Sequence, residues 1–151
     1  MSRFGGTSSA QITAPAAVCF QWVCDTPRTP DWHQAIAAVE VLERDGDGRT
    51  SLVRTSIDAM VTQVKLNLRC TYEQDRALHM RRESGDLRHL TATWSFEDLG
   101  DGRTHASFQT EFDPGRILSL LARGPVLARL ETLLAKQAPE GLKRAVEARR
   151  G

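Results

Sequence analysis

The stretch "VTQVKLNLRCTY", residues 61–72, constrains the fold more than any other part of the chain. Val64, Leu66, Leu68, Cys70 and Tyr72 share one parity, and Gln63, Lys65, Asn67, Arg69 and Thr71 take the other. Successive strand side chains point to opposite faces, so this pattern is an antiparallel strand with one apolar and one wet side. A strand cannot bury that apolar side alone. The chain must supply further strands beside it and a layer to cover them.

The flanking segments supply the strands. "VEVLER" and "TSLVRTSI" enclose the turn "DGDGR" as a hairpin, and "ALHMRRE" follows "EQDR". "LRHLTATWSFEDL" follows "SGD" with Leu90, Ala92, Trp94 and Phe96 on one face. "THASFQTEF" follows "GDGR" with Ala106, Phe108, Thr110 and Phe112 on one face. "SRFGGTSSAQITAP" reads as an earlier strand, and Pro15 suits the first turn of a helix through "AAVCFQWVCD". "TPRTPDWHQAI" is a short helix or turn leading into the sheet. "DGRT" occurs at 47–50 and again at 101–104, which is shared turn chemistry rather than an internal repeat. Asp45 and Asp47 do not open a calcium loop, because the ligand pattern fails after Gly48.

After Pro114-Gly115 the period changes from 2 to about 3.6. Ile117, Leu120, Leu121, Leu127, Leu130, Leu134, Leu142 and Val146 mark one helical stripe, with kinks expected at Gly124-Pro125 and at "APEG", residues 138–141. The covering layer is thus a long C-terminal helix. The expected fold is α+β: a curved antiparallel sheet of about seven strands wrapped around that helix, as one domain over residues 1–151.

Charge and cysteine content narrow the function. Lys and Arg number 20 against 19 Asp and Glu, a net +1 that argues against a nucleic-acid binder working through a broad basic field. The basic end "GLKRAVEARRG" reads as a solvated helix terminus. Cys19, Cys24 and Cys70 form no CxxC pair, so they read as buried thiols in a reducing compartment and not as a metal site. No run of 18 apolar residues and no basic-then-apolar leader is present, so a cytoplasmic protein without a membrane span is expected. Ser-His-Asp order, phosphate loop and HExxH are all missing from the sequence.

The candidate chemistry lies on the inward parity. In "ALHMRRE", Leu78 and Met80 share the apolar face, which sends Arg82 inward and His79, Arg81 and Glu83 outward. An inward arginine is costly unless paired or near water, and its use would be to hold a carboxylate, thioester or enolate oxygen. The alternative is a strand-end side chain that snorkels out. Tyr72 falls on the apolar face with a hydroxyl that can serve a ketone. His33, beside Trp32, is the one histidine near the expected mouth and a conceivable general base there, whereas His79, His89 and His105 have outward parity.

The order of elements resembles the START-like (SRPBCC) superfamily, the helix-grip or Bet v 1-type fold, essentially end to end. "ITAPAAVCFQWVCD" leading to Pro30-Asp31-Trp32, then "VEVLERDGDGRTSLVR", "ATWSFEDLGDGRT" and "TEFDPGRILSLL" carry the resemblance. Within the superfamily the chain is most similar to the polyketide cyclase/dehydrase branch, whose members have a similar "DGDG" turn, a sixth-strand Trp and an "EFD" strand ending. The resemblance implies an internal hydrophobic cavity between sheet and helix, with no metal or organic cofactor. It also implies an arginine and nearby hydroxyl or aromatic groups that orient a poly-β-ketone for aldol-type closure and loss of water.

On this reading Arg82 and Tyr72 are the catalytic candidates. Trp32, Leu66, Leu68, Cys70, Met80, Trp94, Phe108 and Leu120 line the cavity, Trp32, Trp94 and Phe108 as flat walls. A rough alignment to the cyclases also points to Arg69, although its parity is outward. The expected function is a polyketide aromatase/cyclase or dehydratase, with an acyl carrier protein as a possible partner. Aromatic residues are only 6% of the chain and the fourth strand is aliphatic, which fits a lipid or quinone as well. The alternative is therefore a non-catalytic binding or transport protein for a hydrophobic small molecule, or a module whose ligand gates a protein partner.

Overall fold

A computed structural model describes residues 4–58, 63–115 and 131–150. Seven strands form one antiparallel sheet: β1 Phe4–Ile12, β2 Ile36–Arg44, β3 Thr50–Asp58, β4 Gln63–Glu73, β5 Ala77–Gly85, β6 His89–Gly100 and β7 Arg103–Asp113. Their spatial order is β1-β7-β6-β5-β4-β3-β2, a meander from β2 to β7 with β1 returning to pair with β7. Helix α1, Ala16–Cys24, and a 3-10 turn, Thr26–Asp31, connect the two edge strands. Helix α2, Ala138–Arg150, ends the chain. This is the α+β, curved-sheet helix grip expected from the change of period.

The alternation sets the register. Val64, Leu66, Leu68 and Cys70 are buried on β4, and Leu78, Trp94 and Phe108 line up across β5, β6 and β7. A one-residue slip would turn all of these to solvent, so the pattern itself fixes the pairing. A bulge between Asn67 and Leu68 leaves Glu83 without an opposite residue, so Arg82 pairs with Leu68 and Ser84 with Asn67.

The helix breaks just before the position expected for a kink, at residues 132–137 rather than 138–141, and the break has a local cause. Residues Thr132–Lys136 form a π-helical turn, Gln137 N–H donates to Thr132 O, and α2 starts at Ala138. Pro139 has no N–H to give the carbonyl of Ala135, and Ser8 Oγ on β1 donates to that carbonyl instead. The helix restarts and docks by burying Ala138, Leu142 and Val146. Lys143 Nζ donates to Gln11 O, and Thr13 N–H donates to Glu147, so α2 is tied along β1. Gly141 allows α2 to approach Trp32 closely: a Cβ there would lie 2.3 Å from the carbonyl oxygen of Trp32. The helical stripe from Ile117 to Leu130, Leu120 included, and the Gly124-Pro125 kink lie outside the described residues.

Candidate ligand cavity

The inward faces of the sheet and the segment Val23–Ile36 line a cavity of about 70 Å³. Trp32, Trp94 and Phe108 form an aromatic side, with Trp94 4.7 Å from Phe108 and 5.7 Å, edge-on, from Trp32 between ring centroids. Val53, Ile57, Leu68, Leu78, Met80 and Leu90 form an aliphatic side. Among the described lining residues none is charged; the polar ones are His33 and Thr26, Thr29, Thr55 and Thr110. A space of this size takes a few waters, well short of the roughly 300 Å³ typical of sites for drug-sized ligands. A ring-bearing guest therefore has to displace part of the wall, and Met80, half-buried and unbranched, is the most adaptable part of it.

Of the residues singled out in the sequence, Trp32, Leu68, Met80, Trp94 and Phe108 line this cavity together. Leu66 and Cys70 are buried in the adjoining core and are not among its described lining. The Cys70 thiol points to Leu68 O, and burial pushes its pKa up to about 11, which suits a core residue and not a nucleophile. Arg82 starts on the inward face opposite Leu68 but turns along the strand to the β5–β6 turn. There Nη2 donates to Gly85 O at 2.7 Å and Nε to Asp86 O at 3.2 Å. Tyr72 donates its hydroxyl to Thr50 O at 2.6 Å, with the Arg49 guanidinium 4.8 Å over its ring. Burial raises the phenol pKa above its ordinary value.

The outward parity holds the ion pairs. Arg69 pairs with Glu83 at 2.7 Å and with Glu43 at 3.2 Å. His79 contacts Glu73 at 2.7 Å. Among the described residues no group of three or more His, Cys, Asp or Glu is placed to hold a metal ion, and no helix is long and apolar enough to cross a membrane.

His33 is the polar group whose setting the sequence did not reveal. It is 7% exposed, and its Nδ1 accepts the N–H of Ala35 at 3.2 Å. That bond requires an unprotonated Nδ1, which places the ring proton on Nε2. Burial lowers its pKa to about 4, so the ring is neutral at pH 7. Thr55 was missed as well, although it continues the inward parity of Val53 and Ile57, a signal readable in "TSLVRTSI". Thr110, on the inward face as its parity predicts, lines the cavity and donates its hydroxyl to Thr91 O.

Comparison with known proteins agrees with this architecture. The family model described as "Polyketide cyclase / dehydrase and lipid transport" matches residues 4–147. Among solved structures, the Zhui aromatase/cyclase from Streptomyces sp. R1128 superposes with a TM-score of 0.78 at 17% identity, over 99% of this chain and 97% of that one. A START superfamily protein from Mycobacterium smegmatis gives 0.74 at 19% identity, over 95% and 94%. A protein from Thermus thermophilus gives 0.76 at 19% identity, over 99% and 100%. At these identities the likeness is one of fold. No curated protein matches the chain in sequence.

Proposed function

Because this chain belongs to the polyketide cyclase/dehydrase and lipid transport family, we propose that it binds an uncharged hydrophobic small molecule in the cavity and carries it without chemical change. The observation behind this reading is the lining: apolar on both sides, and without a charged side chain among the described residues. Transfer of an apolar molecule out of water into such a site is favourable at about 25 cal/mol per Å² of apolar surface, so no ionic anchor is needed.

A second reading is a cofactor-independent polyketide cyclase or dehydratase, fed by an acyl carrier protein. The aromatic side made by Trp32, Trp94 and Phe108 favours it, since a flat wall suits a folded poly-β-ketone. In that reading Arg82 leaves the carbonyls of Gly85 and Asp86 to stabilise an enolate, and Tyr72 gives up its bond to Thr50 to assist proton transfer. An enolate in a dry cavity needs preorganised donors or positive charge aimed at it. As placed, both residues are engaged elsewhere, which is why carriage is the first reading.

Native mass spectrometry of the protein purified from its own host separates the two, on wild type and Arg82→Ala. A hydrophobic molecule retained by both proteins supports carriage. An empty wild type that binds an aromatic polyketide analogue, with binding lost in Arg82→Ala, supports the cyclase. Failure of wild type to hold or bind any hydrophobic molecule overturns both.

A further inference from the structure

Resting on the hydrophobic-binding reading, we infer that His33 is the specificity-determining residue of the cavity: its Nε2–H selects guests with a neutral hydrogen-bond acceptor, such as a ketone, quinone or ester oxygen. The geometry carries the argument. His33 lies in the irregular segment after the 3-10 turn, with only 7% of its surface exposed. The Ala35 N–H occupies Nδ1 and so fixes both the tautomer and the ring orientation. Nε2–H has no acceptor among the described residues, and His33 borders the cavity on one side and the surface hollow at Asp31 and Arg144 on the other.

A donor held in an apolar, low-dielectric wall discriminates strongly, because a guest without an acceptor leaves it unsatisfied. Of the remaining polar lining, two of the four threonines are already engaged, whereas the hydroxyls of Thr29 and Thr55 are further neutral groups at the cavity. Thr26 and Thr50 bond to each other, and Thr110 is committed to Thr91. Trp32 Nε1–H is also unpartnered but is shut away from any water-sized guest. An anionic guest is disfavoured, since no described cation lines the cavity to offset its desolvation. The charges nearest on the outer side, Asp31 and Arg144, border a separate surface hollow that shares Trp32 and His33. Burial alone, with no contribution from either charge, accounts for the neutral state of the ring.

The test uses a matched pair of probes, acetophenone and ethylbenzene, which differ in one carbonyl. Their dissociation constants are measured by NMR titration against wild type, His33→Asn and His33→Gln. Asn keeps an acceptor for the Ala35 N–H and withdraws the donor from the cavity. Gln reaches as far as Nε2 with an amide donor and gives up the Ala35 bond.

The preference for acetophenone over ethylbenzene should fall about tenfold in His33→Asn and return largely in His33→Gln, on the order expected for one buried hydrogen bond. In wild type the His33 Nε2 resonance should shift with acetophenone and not with ethylbenzene, a readout that needs no variant to fold. Equal preference in wild type and His33→Asn, with an unmoved Nε2 resonance, overturns the role of His33 and leaves hydrophobic binding standing. Binding of neither probe to wild type overturns hydrophobic binding and this inference with it.

Discussion

Acid should weaken this protein before its carboxylates titrate, and His33 is the reason. In the unfolded chain its ring takes a proton near pH 6.5, whereas in the fold burial holds the pKa at about 4. Between those values the unfolded state binds a proton that the folded state refuses, so stability falls as pH drops through the interval. The loss begins below pH 6.5 and levels off below about pH 4. Each pH unit is worth about 1.4 kcal/mol, so the move from pH 7 to pH 5 should cost about 2 kcal/mol from this group. For a chain of this size that corresponds to roughly 4–8 °C in Tm.

Glu73 and Glu147 have carboxyls held low by His79 and by Lys143 respectively. Their contributions are lost only as pH falls below the ordinary carboxylate range, so pH 5 lies above most of that window. Urea unfolding at pH 7 and pH 5, on wild type and His33→Asn, reads the effect. The wild type should lose about 2 kcal/mol and the variant should have a much flatter profile. Equal slopes in the two proteins would refute the assignment of this acid sensitivity to a buried neutral His33.

Gly141→Ala should destabilise, although Ala is worth up to about 1 kcal/mol over Gly inside a helix. The new Cβ meets the Trp32 carbonyl at 2.3 Å and must push α2 off the cavity wall, at a net cost on the order of 1–3 kcal/mol in urea unfolding; Gly46→Ala, with nothing within 4 Å, is the neutral control. Tyr72→Phe orphans the Thr50 carbonyl and should cost about 1–2 kcal/mol of stability, while the Kd for ethylbenzene stays within about twofold because the ring does not line the cavity. Phe108→Ala removes part of the aromatic side and should cost about 3–5 kcal/mol while admitting bulkier guests, as thermal unfolding with and without ligand would report.

The sheet was legible because its signal is local and repeated. Inward and outward sets on β4, β6 and β7 follow from a period of two, and the turns carry their own Gly and Asp chemistry. Arg82 shows where that reasoning stops. Parity placed its Cα on the inward face, but a long side chain at a strand end goes where acceptors are, and the carbonyls of Gly85 and Asp86 lie within its reach. Tyr72 likewise shares the apolar face while its hydroxyl finds a backbone carbonyl on β3, a tertiary contact that no spacing encodes.

His33 was harder still. It lies in a segment without periodicity, so nothing local distinguishes a buried ring from an exposed one. Its tautomer depends on a bond two residues on. The break before α2 was readable from Pro139, whereas the Ser8 hydroxyl that takes the freed carbonyl comes from the other end of the chain.

The most direct test of the account is a methyl and indole NMR titration of the protein with ethylbenzene. Hydrophobic binding in the cavity predicts saturable shifts of the Met80 ε-methyl, the Leu68 and Leu78 methyls and the Trp94 indole, with Arg69 and His79 on the outer face unmoved. No saturable shift at these positions, or shifts confined to the outer face, would contradict it.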